Sequence, residues 1–484
     1  GDPYAHNFTG NVTELCPVGA LTSKTYRFKS RPWDLNRVQT SCTQCAVGCQ
    51  QYVDTRSGNV LRAQMVESDD RVSDGWLCDR GRYNIGFYTS PERITQPLYR
   101  QPGGEFVQIG WDDAFAMWGK AIRDAQASGK GVGAIGGGRL LNEEAYLLGS
   151  VFRSLGVKNV DWRAGRQVTA TPARPGTSYE QIENAAAILL IGETPQERAP
   201  IMWLRVVKAV TKNGAKLVRI ASRDRAPNIA HTDVASVDEA VKLLPDNGQV
   251  VVIWDGVDVS LGGAVREAMA SRGGIGFIAS EQPNARGAEA MGMLPDDGGM
   301  DTYAMFDAAA RGEMGVLSLF GVNPVRNGID TAAIRDALGA TPFVVVSELF
   351  LTETAQLATL VLPARAGFEK TGTTIDIAGD LLPVNASLEG PAGTLSDLEM
   401  LVGLAQQLDL PLPTIEELQQ TVLKKTAQQG GAPLRPFARA ATDGDNDTGR
   451  PARSIWDGGG TSAHDERIAA LRADRIVPTE LVEA

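Results

Sequence analysis

The sequence contains no cysteine after residue 78 and only three histidines, His6, His231 and His464, among its 484 residues. These histidines are far apart and belong to no recognisable metal or catalytic-triad motif, so hydrolytic chemistry has little support. Disulfide frameworks are typical of small secreted domains, whereas a chain of this length with 43% apolar residues can bury a core without them. We therefore expect the cysteines to be reduced, as they are in the cytosol.

Positive charge and long apolar runs are also scarce. Lys and Arg number 47 against 58 Asp and Glu, a formal net charge of -11, which argues against nucleic acid as a ligand because phosphate recognition needs basic surfaces. A run of about 18 apolar residues is missing, so we expect membrane association only through partner proteins. The opening, Gly1-Asp-Pro-Tyr, has neither an initiator methionine nor a signal-peptide pattern, and we interpret it as a cut start.

The cysteines that are present form a metal-binding pattern. Cys42, Cys45, Cys49 and Cys78 give the spacing Cys-x2-Cys-x3-Cys-x28-Cys. Three thiolates from one loop and a fourth from a later turn can surround a four-iron four-sulfur cluster. Zinc is the alternative, although structural zinc sites usually pair two short knuckles and here the closing cysteine stands alone. Arg80 either stabilises the reduced cluster by its charge or is a solvated surface arginine.

The fifth cysteine is followed by proline, Cys16-Pro17. A cysteine before proline ends the ligand run of bacterial ferredoxins, with three earlier ligands upstream. Those three are not in this sequence, so we predict that Cys16 is one corner of a second cluster; the alternative is a lone structural or reactive thiol. Residues 21–34 are interpreted as a linker.

Beyond residue 95 the pattern alternates between helices and apolar strands. It predicts a helix from Trp111, a short strand over 131–136 and a second helix with Asn142 as its N-cap. Continuous apolar runs predict further strands at 186–192, 215–220, 250–254, 274–278, 316–321 and 343–347. Such runs belong to parallel sheets covered on both faces, so we expect an α/β fold.

One motif in this region is misleading. Gly131, Gly133 and Gly136 match the G-x-G-x-x-G dinucleotide fingerprint, which works only where a strand turns into a helix N-terminus. Here a helix precedes the glycines, which lie at the entry to the strand. We therefore do not expect a nicotinamide or flavin at this position.

Several motifs together resemble one known family. The runs Glu14-Leu-Cys16-Pro-Val-Gly-Ala-Leu and Arg31-Pro-Trp, the three-cysteine loop and Cys78-Asp-Arg-Gly are similar to the large iron–sulfur subunit of bacterial NADH:quinone oxidoreductase, respiratory complex I. The stretches Gly137-Gly-Arg-Leu-Leu-Asn and Glu348-Leu-Phe-Leu-Thr-Glu agree, and the resemblance covers about residues 8–380.

The resemblance implies an iron–sulfur electron-transfer and scaffold subunit with no independent catalytic site and no molybdenum, NAD or FMN of its own. By position, Cys42, Cys45, Cys49 and Cys78 would hold a peripheral 4Fe-4S cluster, and Cys16 would be one ligand of a second 4Fe-4S cluster whose other ligands are absent. The partners would be the other peripheral-arm subunits of complex I. The location would be the cytoplasmic face of the inner membrane, peripheral and held through the complex.

The family also implies an architecture: an α/β protein with a small N-terminal iron–sulfur module, molybdopterin-oxidoreductase-like parallel-sheet domains and a reduced C-terminal domain. We expect the end of a ferredoxin-like domain and a linker over 1–34, the 4Fe-4S module over 35–95, a body of two lobes over 96–365, and a reduced region and tail over 366–484. Helices are predicted near 398–408 and 415–427, and the Gly-, Asp- and Arg-rich stretch 440–460 is expected to be an exposed loop.

Two other functions stay open. The first is the catalytic subunit of a molybdopterin oxidoreductase such as formate dehydrogenase, in which cysteine or selenocysteine ligates molybdenum soon after a stretch like 155–161. Trp162-Arg-Ala-Gly offers no sulfur at that point, although Asp161 or Ser178 could supply the oxygen ligand that some relatives use. The second is a pure scaffold, in which the α/β body only supports neighbouring subunits.

Overall fold

The structure is a computed structural model that describes residues 7–67, 71–220, 227–257, 261, 263 and 273–428. The strands in these ranges are β1 (Asn36–Ser41), β2 (Gln50–Arg56), β3 (Asn59–Met65), β4 (Leu98–Arg100), β5 (Phe106–Gln108), β6 (Gly131–Gly136), β7 (Asn159–Asp161), β8 (Ala187–Ile191), β9 (Lys216–Ile220), β10 (Thr232–Val234), β11 (Val250–Trp254), β12 (Ile275–Ile278), β13 (Met314–Phe320), β14 (Phe343–Glu348), β15 (Leu360–Pro363), β16 (Gly372–Ile375) and β17 (Leu381–Val384). The α-helices span Asn11–Leu15, Asp79–Tyr83, Trp111–Ala127, Asn142–Ser154, Glu180–Glu183, Pro195–Arg198, Pro200–Asn213, Val237–Leu243, Ala285–Ala290, Thr302–Ala310, Pro324–Asn327, Thr331–Ala340, Asp397–Gln407 and Ile415–Gln428. Short 3-10 turns occur at Pro32–Asp34, Gly86–Thr89, Ala355–Leu357 and Gly367–Glu369.

The N-terminal part is built on a small antiparallel sheet of order β1-β2-β3. Ser41 at the end of β1 pairs with Gln50 at the start of β2, so residues 42–49 form the loop of a hairpin. This loop contains three of the five cysteines.

The larger sheet of the body has the order β5-β4-β15-β14-β13-β6-β7. The strands from β15 to β7 are parallel, and β4 and β5 add an antiparallel edge. The helix Trp111–Ala127 covers one face because Phe115, Trp118 and Ile122 recur at helical spacing and are buried. The indole of Trp118 donates a hydrogen bond to Ser318 on β13 at 3.1 Å, which fixes the helix on the sheet.

The second sheet is fully parallel, with the order β10-β9-β8-β11-β12. Every residue of β8 and β11 is buried, as expected of central strands covered on both faces. The chain leaves the larger sheet after β7, builds the second sheet, and returns at β13. The larger sheet is therefore made from two separate pieces of sequence.

The sequence predicted several central strands and long helices among these elements, and the α/β class is confirmed. The strands at 131–136, 187–191, 216–220, 250–254 and 275–278 and the helices at 111–127, 397–407 and 415–428 lie within a few residues of their predicted positions. The predicted loop at 440–460 lies outside the described residues, as do His6 and His464. Among the described residues, no helix has both the length and the apolar character needed to span a membrane.

Two details of the prediction are wrong. Leu141, not Asn142, is the N-cap residue of the second helix, and its amide donates to the Glu144 carboxylate at 2.8 Å. The Asn142 side chain instead donates to Thr373 Oγ1 at 3.0 Å inside the core. A buried side-chain amide without a hydrogen-bond partner is unfavourable, so this contact is preferred to capping the helix. The glycines at 131–136 also form the strand itself rather than its entry, and a Cβ on Gly131 would lie 2.6 Å from a methionine sulfur.

Candidate metal centre

The hairpin loop between β1 and β2 brings three cysteines together. The amide of Cys42 donates to the carbonyl of Cys49 at 2.7 Å, which closes the loop at its base. The middle of the loop is anchored to the body, since the amide of Ala46 donates to Ser280 at 3.2 Å and the hydroxyl of Tyr179 donates to the carbonyl of Val47 at 3.1 Å. The loop is therefore held by the body at several points.

Cys78 approaches the same loop from a later turn. It is the N-cap of the helix Asp79–Tyr83, and its sulfur accepts a hydrogen bond from the amide of Gly81 at 3.5 Å. A Cβ added to Gly81 would lie 3.2 Å from the sulfur of Cys42, so this short helix lies directly against the first cysteine of the loop. The missing side chain at Gly81 allows that approach.

All four side chains lie in one apolar core. Cys42, Cys45, Cys49 and Cys78 are 6%, 4%, 3% and 4% exposed and pack in the same buried cluster of residues. None of them is in a disulfide. Sequence reasoning thus selected four residues that the fold does place together.

The electrostatics of this core favour the binding of a positively charged group. Burial, and then the neighbouring cysteines, raise the pKa of the Cys42 thiol above its usual range, and burial raises the pKa of Cys78 to about 11. Buried thiols with these pKa values become thiolates only if nearby positive charge compensates them. Iron in a cluster supplies such charge, and four thiolates are the usual ligands of a 4Fe-4S cluster. The donor set therefore fits this group.

Within the described parts of the chain, no group of three or more His, Cys, Asp or Glu side chains is arranged to hold a single metal ion. The preference for a cluster over zinc rests on the cysteine spacing, in which the closing cysteine stands alone.

Arg80 supplies a fixed charge next to the cysteines. Its guanidinium is half-buried and donates to the carbonyl of Arg198 at 2.8 Å. Burial opposes the charge, but the thiol groups of Cys45, Cys78 and Cys42 hold the pKa of Arg80 above its ordinary value. Arg80 is therefore not a freely solvated arginine.

Cys16 lies apart from this core. It follows the helix Asn11–Leu15, is half-buried and is not among the residues that enclose the other four cysteines. Hydrogen bonds from backbone amides, first that of Leu21 and then those at 18–20, lower the pKa of its thiol despite some burial. A thiol surrounded by amides is predisposed to be a thiolate, whether as a ligand or as a reactive group.

The segment before Cys16 is firmly attached to the turn that carries Cys78. The side chain of Asn11 is buried and donates to the carbonyl of Leu77 at 2.8 Å, and the amide of Gly10 donates to Asp79 Oδ1 at 2.7 Å. Arg82 forms a buried ion pair with Glu14. These contacts make residues 7–15 a structural part of the cysteine module.

A second feature of the body is a cavity of about 80 Å3 at the carboxyl ends of β6, β13, β14 and β15. Arg139, Glu348 and Lys370 line it from the sheet side, and Thr43 and Gln44 of the cysteine loop line it from the other side. Ligands of open α/β sheets bind at such edges. No local sequence signal identified these residues, because they come from loops far apart along the chain.

The two proposed oxygen ligands for molybdenum do not line this cavity. The carboxylate of Asp161 is buried and accepts hydrogen bonds from the Thr302 amide at 2.8 Å and from the Arg163 side chain at 2.8 Å. The hydroxyl of Ser178 accepts from the amide of Glu180 at 3.2 Å. Asp161 is thus engaged in structure, and Ser178 bonds at the start of a short helix.

Neither the glycine motif nor His231 contributes to the cysteine site or to the cavity. Gly131–Gly136 is a strand that follows the helix Trp111–Ala127, so no helix N-terminus receives a phosphate there. His231 bonds the carbonyl of Ile229 at 2.7 Å, within its own loop.

Comparison with known proteins decides the family. The family model described as molybdopterin oxidoreductase matches residues 93–238 and 230–407, which is more than half of the chain. The chain belongs to the molybdopterin oxidoreductase family. The model of the molybdopterin oxidoreductase Fe4S4 domain matches residues 35–89, which contain Cys42, Cys45, Cys49 and Cys78. This family member therefore has the expected order of an Fe4S4 domain followed by an α/β body, and the match supports a 4Fe-4S cluster.

Among curated proteins, this family member is similar to the G subunit of NADH-quinone oxidoreductase from Streptomyces coelicolor. The two are 30% identical over 521 aligned residues, which cover 90% of this chain and 61% of the relative. It is also 27% identical to NADPH-Fe(3+) oxidoreductase subunit alpha of Geobacter sulfurreducens, over 84% of this chain and 60% of the relative. The predicted resemblance to the large complex I subunit is confirmed, and the chain spans about 60% of the length of these relatives.

Among solved structures, acetylene hydratase from Pelobacter acetylenicus has a similar fold. The TM-score is 0.57 with 15% sequence identity, over 81% of this chain and 72% of the other. At this identity the likeness concerns the fold alone.

Proposed function

We propose that this protein is an iron–sulfur electron-transfer and scaffold subunit of an NADH:quinone oxidoreductase of the complex I type. The observation that carries the proposal is the meeting of four buried cysteines in one core, within a segment that matches an Fe4S4 domain. The similarity to the NADH-quinone oxidoreductase relative of Streptomyces coelicolor supports the choice of complex.

In this proposal Cys42, Cys45, Cys49 and Cys78 hold one 4Fe-4S cluster, which accepts and releases single electrons when it is bound. The protein contributes the low-polarity core that keeps water away and the Arg80 charge, which favours the more negative reduced state.

The family name implies a molybdopterin, and the residues at the carboxyl edge of the larger sheet do not fit one. The cavity there has about 80 Å3, whereas pockets for drug-sized ligands have about 300–1,000 Å3. Lys370, which lines the cavity, is bonded to two carboxylates of the protein. We infer that this subunit performs no molybdenum chemistry, and that NAD and FMN bind elsewhere in the complex. A formate dehydrogenase activity would require bound molybdopterin. The link between that activity and this chain is membership of the same family only.

Cys16 is proposed as one ligand of a second 4Fe-4S cluster. The support is its position before Pro17 and the amides at 18–21 that favour its thiolate. The other ligands would come from polypeptide outside this sequence.

The proposed partners are the other peripheral-arm subunits of complex I, and the proposed location is the cytoplasmic face of the inner membrane through that complex. Large apolar side chains are exposed along the N-terminal segment, which is unusual for a free surface. They are Val12, Leu15, Val18, Leu21, Phe28 and Trp33. Such a surface supports contact with another protein.

A second candidate function follows from the Geobacter sulfurreducens relative, whose name describes an NADPH-Fe(3+) oxidoreductase. In that case the same cluster and body would serve an NADPH-dependent oxidoreductase. The identity of the co-purifying subunits separates the two candidates.

Metal analysis and electron paramagnetic resonance test the cluster. After anaerobic reconstitution with iron and sulfide, we expect about four irons from the complete site, no molybdenum, and a resonance signal on reduction with dithionite. Cys45→Ser should abolish the signal, and Cys16→Ser should leave it intact because Cys16 lies outside the core.

Stoichiometric molybdenum, or formate oxidation by the protein, would contradict the complex I proposal. Zinc in place of iron would contradict the electron-transfer role.

A further inference from the structure

The carboxyl-edge cavity contains an acidic group to which no cation of the described residues is bonded. Glu348 ends β14, is half-buried and lines the cavity. Its Oε1 accepts a hydrogen bond from the amide of Leu349 at 2.8 Å. No side chain in the described part of the chain donates a hydrogen bond to this carboxyl group.

The nearest cations are already engaged with other carboxylates. Lys370 Nζ lies 2.8 Å from Glu144 and 3.0 Å from Asp397. Arg93 binds both oxygens of Glu369, at 3.0 and 2.9 Å. Neither of these two cations is bonded to Glu348.

Two further arginines line the cavity. Arg365 binds Glu399 at 3.2 Å. Arg139 is exposed beside the cavity and acts on Glu348 only through its charge. Tyr88 also lines the cavity and is neutral, because burial raises the pKa of its phenol far above neutral pH.

The protonation of Glu348 is therefore balanced near neutral pH. Burial, helped by the charge of Asp397, raises the pKa of Glu348 to about 7, while the Leu349 amide, Arg139 and Arg93 oppose the rise. Around pH 7 the protonated and ionised forms have similar free energies, so a small change in local charge decides between them.

The cysteine loop is in a position to make that change. Thr43 and Gln44, which lie between Cys42 and Cys45, line the same cavity as Glu348. A charge added at the cysteines would therefore act on a carboxyl group that lines the same cavity as the residues between Cys42 and Cys45.

We propose that this cavity is a proton-binding site in which Glu348 takes up one proton when the cluster at Cys42, Cys45, Cys49 and Cys78 is reduced. The inference rests on the proposed cluster. One electron enters the cluster from a one-electron donor, and one proton leaves a hydronium ion to form an O–H bond on the Glu348 carboxylate. The net charge of the region then stays constant.

Redox titration at several pH values tests the site. The full chain with its reconstituted cluster is titrated with dithionite at pH values from about 6 to 9, and the reduced fraction is followed by electron paramagnetic resonance. In the wild type the midpoint potential should become more negative above about pH 7, approaching about 59 mV for each tenfold fall in proton concentration. Glu348→Gln should remove this dependence.

Glu353→Gln is the matched control, because Glu353 lies five residues further on, does not line the cavity and accepts a hydrogen bond from Asn323. It should keep the wild-type pH dependence. Should Glu348→Gln fail to fold, reduced-minus-oxidised infrared spectra of the wild type replace it. A protonated-carboxyl band that appears on reduction and shifts in D2O is expected.

A wild-type potential independent of pH, with the cluster signal present, would overturn the proton site and leave the proposed function intact. A pH dependence that persists in Glu348→Gln would assign the proton to another group and also overturn it. Absence of any cluster signal would instead refute the proposed function.

Discussion

Lys370 is a buried cation, and its removal is predicted to be strongly destabilising. Its ammonium lies 2.8 Å from Glu144 Oε2 and 3.0 Å from Asp397 Oδ2. The three residues are only 6%, 2% and 4% exposed. In Lys370→Met two buried carboxyl groups would face each other with no counterion.

The size of the effect follows from this burial. Breaking a buried ion pair by removing one partner costs about 3–5 kcal/mol, because the remaining charge stays desolvated. Burial already raises the pKa of Glu144, and the charge of Lys370 opposes the rise. Without Lys370 one carboxyl should take up a proton, so the loss should be smaller near pH 5 than near pH 8.

Urea unfolding followed by tryptophan fluorescence measures this loss at both pH values. Lys120→Met is the matched control, since Lys120 pairs with Asp124 on an exposed helix surface, where such pairs contribute about 0.5 kcal/mol or less. Adding Glu144→Gln to Lys370→Met should recover part of the stability. A loss below about 1 kcal/mol at pH 8 would refute the reasoning that the buried charges depend on Lys370.

Other substitutions test the remaining parts of the structure. Burial raises the pKa of Glu143 to about 7, so the folded state holds a proton that the unfolded state releases from about pH 5 upward, and stability should fall as pH rises towards 7. Urea unfolding of Glu143→Gln should show that part of the pH dependence removed; unchanged dependence would contradict this assignment. Arg82→Met should free residues 7–15 by leaving Glu14 unpaired, which hydrogen exchange would detect as faster exchange there, and Glu14→Gln in addition should partly restore protection. Gly48→Ala and Gly58→Ala both place alanine at positive φ, 68° and 75°, but only the Gly48 methyl would meet another side chain, at 2.4 Å. Both should lose about 1 kcal/mol to backbone strain, and only Gly48→Ala should also lower the iron bound after reconstitution; equal iron in both would argue against a tightly packed loop.

The elements that were predicted correctly are those whose structure depends on residues adjacent in the sequence. Strands β8 and β11 are continuous apolar runs because both faces of a parallel sheet are covered, and such runs are visible without any tertiary information. The cysteine module is similar, because Cys42, Cys45 and Cys49 lie in one hairpin loop and Cys78 follows 29 positions later.

The parts that could not be predicted depend on distant pairing. The larger sheet joins strands on both sides of the second sheet, and no local pattern states that β6 will pair with β13. The N-cap prediction at Asn142 failed for the same reason, because the partner of that amide, Thr373, is 231 residues away. Local preference decides a helix end only where tertiary contacts do not use the same side chain.

The two sites of this fold also differ in what they require of the chain. The cysteine site takes its four ligands from one loop and one turn, both within residues 42–78. A pterin site needs several loops to leave space at one sheet edge, and here that edge is occupied by bonded side chains such as Lys370 and Asp397. The same closure puts a carboxyl group, Glu348, beside a small cavity that residues of the cysteine loop also line. Under the proposed function this edge holds no pterin, and its closure places an ionisable group near the loop that would hold the cluster.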